Sequence, residues 1–209
     1  MAKQSRLIMY VDGFNLYHGL HDKYRHRYLW LDLVALAKNL RPMSELIAVK
    51  YFTAQVMNEP AAQARQNVYL DALEELYSDK IEIVQGRYQA KQRYCRSCQA
   101  SWTVYEEKET DVNIAVSIVA DAAANTADML LVVSGDSDLA PAVRMSTILN
   151  PNIFIAAAFP PGRYSAELKN LMPASFHIGR AKVAGSLLPD SIVAGDGTSV
   201  LHRRPNKWK

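Results

Sequence analysis

The chain has 209 residues, 49% of them hydrophobic and 22% charged, which suits one domain with a packed core and excludes disordered, collagenous and disulfide-built classes. Twenty-four basic against 21 acidic residues leave a formal charge of +3, too mild a balance to identify a nucleic-acid partner by itself. No apolar run approaches the roughly 18 residues of a membrane span. The opening MAKQSRLIMYVDG passes straight into a strand-like segment, so no secretory leader is expected and a cytoplasmic location is the default.

The apolar run Leu7 to Val11 reads as a buried strand that stops at the turn signal Asp12-Gly13. A polar, aromatic stretch follows to Trp30, after which Leu33, Leu36, Ala37 and Leu40 give a helix from Asp32 that ends before Pro42. Leu46 to Thr53 is the second strand, Pro60 to Tyr77 an amphipathic helix, and Ile81 to Val84 a third strand. Residues 86–103 carry Arg87, Lys91, Arg93 and Arg96 with Tyr88, Tyr94 and Trp102, without acidic residues or clear period, and form a functional loop or small hairpin. Asp111, Ile114, Ala115, Ile118 and Val119 place Asp111 at the head of a buried helical stripe.

Met129 to Val133 is the clearest strand; it ends in Ser134-Gly135-Asp136-Ser137-Asp138 and is followed by a helix with Pro141 in its first turn. A strand at Ile153 to Ala158, a short helix at Ala166 to Leu171 and a strand near Phe176 to Ile178 complete the pattern. Alternating strands and helices imply a three-layer α/β/α sandwich around a mostly parallel sheet. Residues 1–180 form the domain, and residues 181–209 are expected to be a basic tail containing Gly, Ser and Pro, outside the core.

In such a sheet, ligands sit beyond the carboxyl ends of the strands. The first strand runs into Asp12 and Asn15, the fourth into Asp136 and Asp138, and the helix between them opens with Asp111. If the first and fourth strands are neighbours, four carboxylates crowd together, and like charges repel unless a cation offsets them. Hard oxygen donors suit Mg²⁺ or Mn²⁺, with a phosphodiester as the natural substrate and metal-activated water as the nucleophile. Taken singly, each residue has a plainer account: Asp12-Gly13 as a turn, Asp111 as a first-turn acid, Asp138 or Ser137 as a helix cap. Phosphate-binding glycine loops, a Ser/His/Asp order and zinc-spaced histidines are absent from the sequence.

The runs Tyr10-Val11-Asp12-Gly13-Phe14-Asn15-Leu16, Glu107-Lys108-Glu109-Thr110-Asp111-Val112-Asn113-Ile114-Ala115 and Val133-Ser134-Gly135-Asp136-Ser137-Asp138-Leu139 closely resemble the three motifs of the NYN domain, of the PIN-like nuclease superfamily. The resemblance spans about residues 5–180 and is particularly similar to the bacterial LabA-like branch. It implies a divalent-metal-dependent ribonuclease in which Asp12, Asp111, Asp136 and Asp138 are the catalytic metal ligands. By the same resemblance Asn15 holds water or phosphate, Ser134 is a lesser hydroxyl contact, and Lys108 meets a phosphate.

Three basic and aromatic segments are expected to contact single-stranded RNA, whose unpaired bases can stack on exposed rings. They are His21 to Tyr28 with Lys23, Arg25 and Arg27, the loop with Arg87, Lys91 and Arg93, and the tail with Arg203, Arg204, Lys207, Trp208 and Lys209. Cys95 and Cys98 resemble half of a zinc knuckle; Zn²⁺ there requires completion by a histidine or by a second chain in a homodimer. The competing function is a non-catalytic RNA-binding or regulatory module with a structural ion. A small-molecule phosphatase ranks third, because an aspartyl nucleophile usually has a second acid two positions on, where this chain has Phe14.

Overall fold

A computed structural model describes residues 4–194 and 199–209. Residues 195–198, which belong to the expected tail, lie outside the described residues. The main sheet has six strands: β1 (Arg6–Asp12), β2 (Glu45–Thr53), β3 (Ile81–Gln85), β6 (Met129–Val133), β7 (Phe154–Phe159) and β8 (Phe176–His177). Their order is β3-β2-β1-β6-β7-β8, and every pairing is parallel. A parallel sheet is buried on both faces, and β1 shows it: Leu7, Met9 and Val11 enter one apolar cluster while Ile8 and Tyr10 enter another.

On the first face pack α1 (Gly13–Tyr24), α2 (Leu33–Leu40), α3 (Pro60–Tyr77) and α7 (Arg180–Ala184), through residues such as Leu16, Leu36, Leu73 and Val183. The second face is covered by α4 (Thr110–Ala124) through Ile114 and Ile118, with α5 (Ala140–Leu149) and α6 (Ala166–Leu171) alongside through Val143 and Leu168. This is the expected α/β/α sandwich. Among the described residues, no helix is long and apolar enough to cross a membrane.

Two sequence expectations are corrected and a third, the hairpin, is met and extended. The Asp12-Gly13 turn and the polar stretch after it are in fact helix α1, which starts directly at the strand end with Asp12 as its cap; the Asp12 carboxylate accepts from the Asn15 N–H at 2.9 Å. Gly13 is required there by close packing, since a Cβ would lie 2.6 Å from the Phe52 carbonyl oxygen. Residues 86–103 resolve as a hairpin, β4 (Arg87–Tyr94) and β5 (Ser101–Lys108), whose strands extend five residues past Thr103. The tail is not an appendage: β9 (Ser191–Val193) and β10 (Val200–Arg203) pair, and Trp208 is buried against Trp30 and Tyr69. Trp208 is therefore packed into the fold rather than displayed on a free tail; Tyr28, in the first basic segment, is buried too.

Candidate active site

Register brings the site together. Val11 of β1 pairs with Val133 of β6, so the residues that follow, Asp12 and Ser134, meet side by side at the carboxyl end of the sheet. The fully buried Ser134 hydroxyl donates to Asp12 Oδ2 at 2.9 Å and accepts from the Asp136 N–H at 3.0 Å. Asn15 Oδ1 accepts from the Gly135 N–H at 2.9 Å, tying α1 to the same loop. Ser134 and Asn15 thus fix the Asp12 and Asp136 loops; with its hydroxyl used and buried, Ser134 is a positioning residue and not the substrate contact expected from sequence. Asp136 Oδ1 in turn accepts from the Asp138 N–H at 2.9 Å.

Asp111 arrives from the opposite direction, at the first turn of α4. The preceding Glu109 has φ +81°, a left-handed conformation that non-glycine residues rarely adopt, and it gives α4 no side-chain cap. Glu107 supplies that cap instead: its Oε1 accepts from the Thr110 N–H at 3.1 Å and from the Thr110 hydroxyl. The buried residue heading the helical stripe is Thr110, while Asp111 itself is exposed at the rim, contrary to expectation.

Asp12, Asp111, Asp136 and Glu107 line one cleft of about 280 Å³, with Phe14, Asn15, His18 and Arg163 completing the wall. Desolvation, followed by the charges of Asp12, Asp136, Glu107 and Asp138, pushes the Asp111 carboxyl up to about 6. Burial also raises Asp12, against the opposing pull of its hydrogen bonds from Asn15 and Ser134. Asp138 is exposed and lies outside the cleft lining, so it acts on Asp111 through its charge rather than as a wall. Among the described residues, no three His, Cys, Asp or Glu side chains stand close enough to share one ion as posed. The donor set is nonetheless all oxygen and its repulsion is uncompensated, which fits a cation such as Mg²⁺ that keeps several of its waters.

Sequence reasoning missed Glu107 and Arg163. Glu107 lies inside a quoted motif, but its direction depends on the hairpin register, where it pairs with Tyr88. Arg163 follows the Pro160-Pro161-Gly162 turn beyond β7, and its position past a strand end was the available signal. It is anchored to Asp22 of α1 at 2.7 Å.

The basic hairpin residues do not line the cleft. Strand alternation puts Arg87, Lys91, Arg93 and Lys108 on the face opposite to Glu107. Lys91, Arg93 and Lys108 converge on Glu106 at 3.4, 2.7 and 3.2 Å, and Arg87 pairs with Glu109. Trp102, about half exposed, shares that face. At the hairpin tip, backbone and side-chain hydrogen bonds with Cys98 hold the Cys95 thiol below its usual value. Both cysteines are free, and no third His, Cys, Asp or Glu among the described residues joins them in a metal-binding group.

The model of one family, the NYN domain, matches residues 6–177. A relative from Pseudomonas putida, named 6-hydroxy-3-succinoylpyridine 3-monooxygenase, is 32% identical over 176 residues, covering 67% of this chain and 55% of the relative. The chain therefore spans about half the length of that curated relative. A crystal structure of a Vibrio parahaemolyticus protein of unknown function superposes with a TM-score of 0.56 at 19% identity, covering 90% of this chain and 99% of that one, a likeness of fold alone.

Proposed function

The chain belongs to the NYN domain family, within the PIN-like superfamily, and from that nuclease-like premise we propose that it is a divalent-metal-dependent ribonuclease that hydrolyses phosphodiester bonds of single-stranded RNA. The observation that carries the proposal is the convergence of Asp12, Glu107, Asp111 and Asp136 on one cleft, where desolvation and then the neighbouring carboxylate charges raise Asp111 to about 6. Asp12, Asp111 and Asp136 would hold the ion, with Glu107 and Asp138 adding negative charge around it. When bound, a Mg²⁺ or Mn²⁺ ion supplies a water of lowered pKa and offsets charge at the phosphorus and the leaving oxygen.

The chain's own residues set the rest. Ser134 and the Asn15 N–H orient the Asp12 carboxylate and favour its ionised form by donating to it, against the opposing effect of burial. Arg163, held through one guanidinium nitrogen by Asp22 at 2.7 Å, is the one guanidinium in the cleft lining among the described residues, and its remaining N–H groups would meet a non-bridging phosphate oxygen. The hairpin, with Trp102 beside a net positive cluster, provides a stacking and phosphate-contacting surface for unpaired RNA next to the site.

A time course on 5′-labelled single-stranded RNA with Mg²⁺, Mn²⁺ or EDTA tests this. Products are expected only with metal, and Asp12→Asn and Asp136→Asn are each expected to slow cleavage by about 100-fold or more while remaining folded. Cleavage that persists unchanged in both variants removes these residues from the mechanism. A folded, metal-loaded wild type that makes no product but binds RNA equally well in EDTA would favour the binding module. A second reading, action on a small heteroaromatic ring, is favoured by an aromatic-walled cavity beside the cleft and by the activity for which the Pseudomonas relative is named. Mass-spectrometric detection of a hydroxylated pyridine, formed with O₂ and a two-electron reductant, would establish it.

A further inference from the structure

A second, larger cavity of about 610 Å³ lies on the other side of α1 from the acidic cleft. The two share Phe14 and His18 as common walls. Its interior is aromatic, with Tyr17, Tyr51, Tyr69 and Trp208 among its walls. The polar groups deep inside are already engaged: the Tyr69 hydroxyl donates to the Leu31 carbonyl at 2.7 Å, and Gln66 is held by Val56, Thr53 and Ala54. What the interior offers a ligand is therefore ring surface.

Its mouth is different. Arg65 of α3, Lys207 from the last turn of the chain, and His21 and His26 gather there, with Glu59 as the single acid in the lining. Their closeness shows in His26, which burial and then the charges of His21, Lys207, Arg65 and Arg25 hold below its ordinary pKa. Arg163 and Lys91 are tied to carboxylates; the Arg65 and Lys207 charges converge on this opening instead. A cavity with aromatic walls, a cationic mouth and a wall shared with a phosphodiester-cleaving cleft is matched by a planar ring that carries a phosphate.

We propose that this cavity is a nucleotide subsite, in which one unstacked base of the RNA enters between the aromatic walls while its phosphate meets Arg65 and Lys207. The identity of the ring rests on the nuclease reading; the cavity and its charge do not. Phe14 and His18 then connect the base-holding step to the cleft, so that the bond cut lies next to the nucleotide held. The C-terminal segment, through Lys207 and Trp208, builds one side of the subsite.

The test is calorimetric titration of the full chain in EDTA with AMP and UMP, and with adenosine, inorganic phosphate and nicotinate as controls. A nucleoside monophosphate is expected to bind about tenfold or more tighter than adenosine or phosphate alone. Ala62→Trp, which fills the cavity from the first turn of α3, is expected to abolish that binding, and Arg65→Ala with Lys207→Ala to weaken it about tenfold. Asp12→Asn is expected to bind nucleotide as the wild type does. Absence of nucleotide binding in the wild type, unchanged binding in Ala62→Trp, or nicotinate binding tighter than any nucleotide would overturn the subsite. Failure of the nuclease reading would appear separately, as absent RNA cleavage with nucleotide binding intact.

Discussion

The acidic cleft and the aromatic cavity flank the same helix and carry opposite charge. In the cleft, four carboxylates share the lining with Arg163 as its only arginine or lysine among the described residues; across α1, Arg65, Lys207 and three histidines share the lining with a single glutamate. Other carboxylates are matched with cations: Asp121 receives the Tyr10 hydroxyl at 2.6 Å and Lys50 at 2.7 Å, and Glu106 gathers three cations. The two neighbouring hollows thus each gather charge of one sign, and each is fitted to a ligand of the other sign. The difference between them also concerns construction. The cleft hangs on strand register and backbone hydrogen bonds, whereas the cavity is built by packing remote segments against each other.

The two constructions should fail differently. Trp208→Ala removes a buried ring that joins Trp30 and Tyr69, and is expected to cost about 3–5 kcal/mol in urea denaturation. If the cavity serves binding alone, that variant should raise KM for RNA with little change in kcat; an equal fall in kcat would tie the cavity to the chemistry. Ser134→Ala attacks the cleft instead. By stripping a donor from the buried Asp12 carboxylate it is expected to cost about 1–3 kcal/mol, and to slow cleavage about tenfold with nucleotide binding unchanged.

Asp111→Asn sharpens the electrostatic contrast. The folded-state value of about 6 lies above the ordinary 3.8, so the native state prefers the protonated acid and loses stability as pH rises between those two values. The penalty is complete above about pH 6 and absent below about pH 4. Because the side chain is exposed, about 1 kcal/mol should survive solvent screening. The variant is therefore expected to melt about 2–4 °C higher than wild type in EDTA at pH 7.5, with the gain disappearing at pH 4. An equal gain at both pH values would mean that ionisation of Asp111 is not the cause. The smallest effect belongs to Glu109→Gly, which relieves the left-handed backbone at the entrance to α4 and is expected to add about 0.5–1 kcal/mol by thermal melting. A loss would show that the Arg87–Glu109 pair outweighs the strain.

Several features were legible because they depend on short-range pattern. Met129 to Val133 and Ala166 to Leu171 occupy the spans their composition implies. That the first and fourth strands are neighbours was a condition of the acidic cluster, and the β1–β6 pairing meets it. Helix α1 was hidden because Asp-Gly after a strand carries the chemistry of a turn and of a helix cap alike. Its polar face gives little periodicity either, with only Gly13, Leu16, Gly19 and Leu20 buried. Arg87, Lys91, Arg93 and Lys108 are visibly basic in the sequence, yet which carboxylates they meet is set by cross-strand register.

The sequence by itself determined the α/β layering, the family and the aspartates that stand at strand and helix ends, because hydrophobic period and local motif chemistry act over a few residues. Tertiary structure alone decided that Glu107 and Arg163 enter the cleft, that Asp111 sits at its rim, and that Trp208 returns to wall a cavity formed with Tyr17 and Arg65. Those placements join positions up to about 190 residues apart, and no local preference encodes them; they follow from which surfaces the chain can bury together once the sheet has formed.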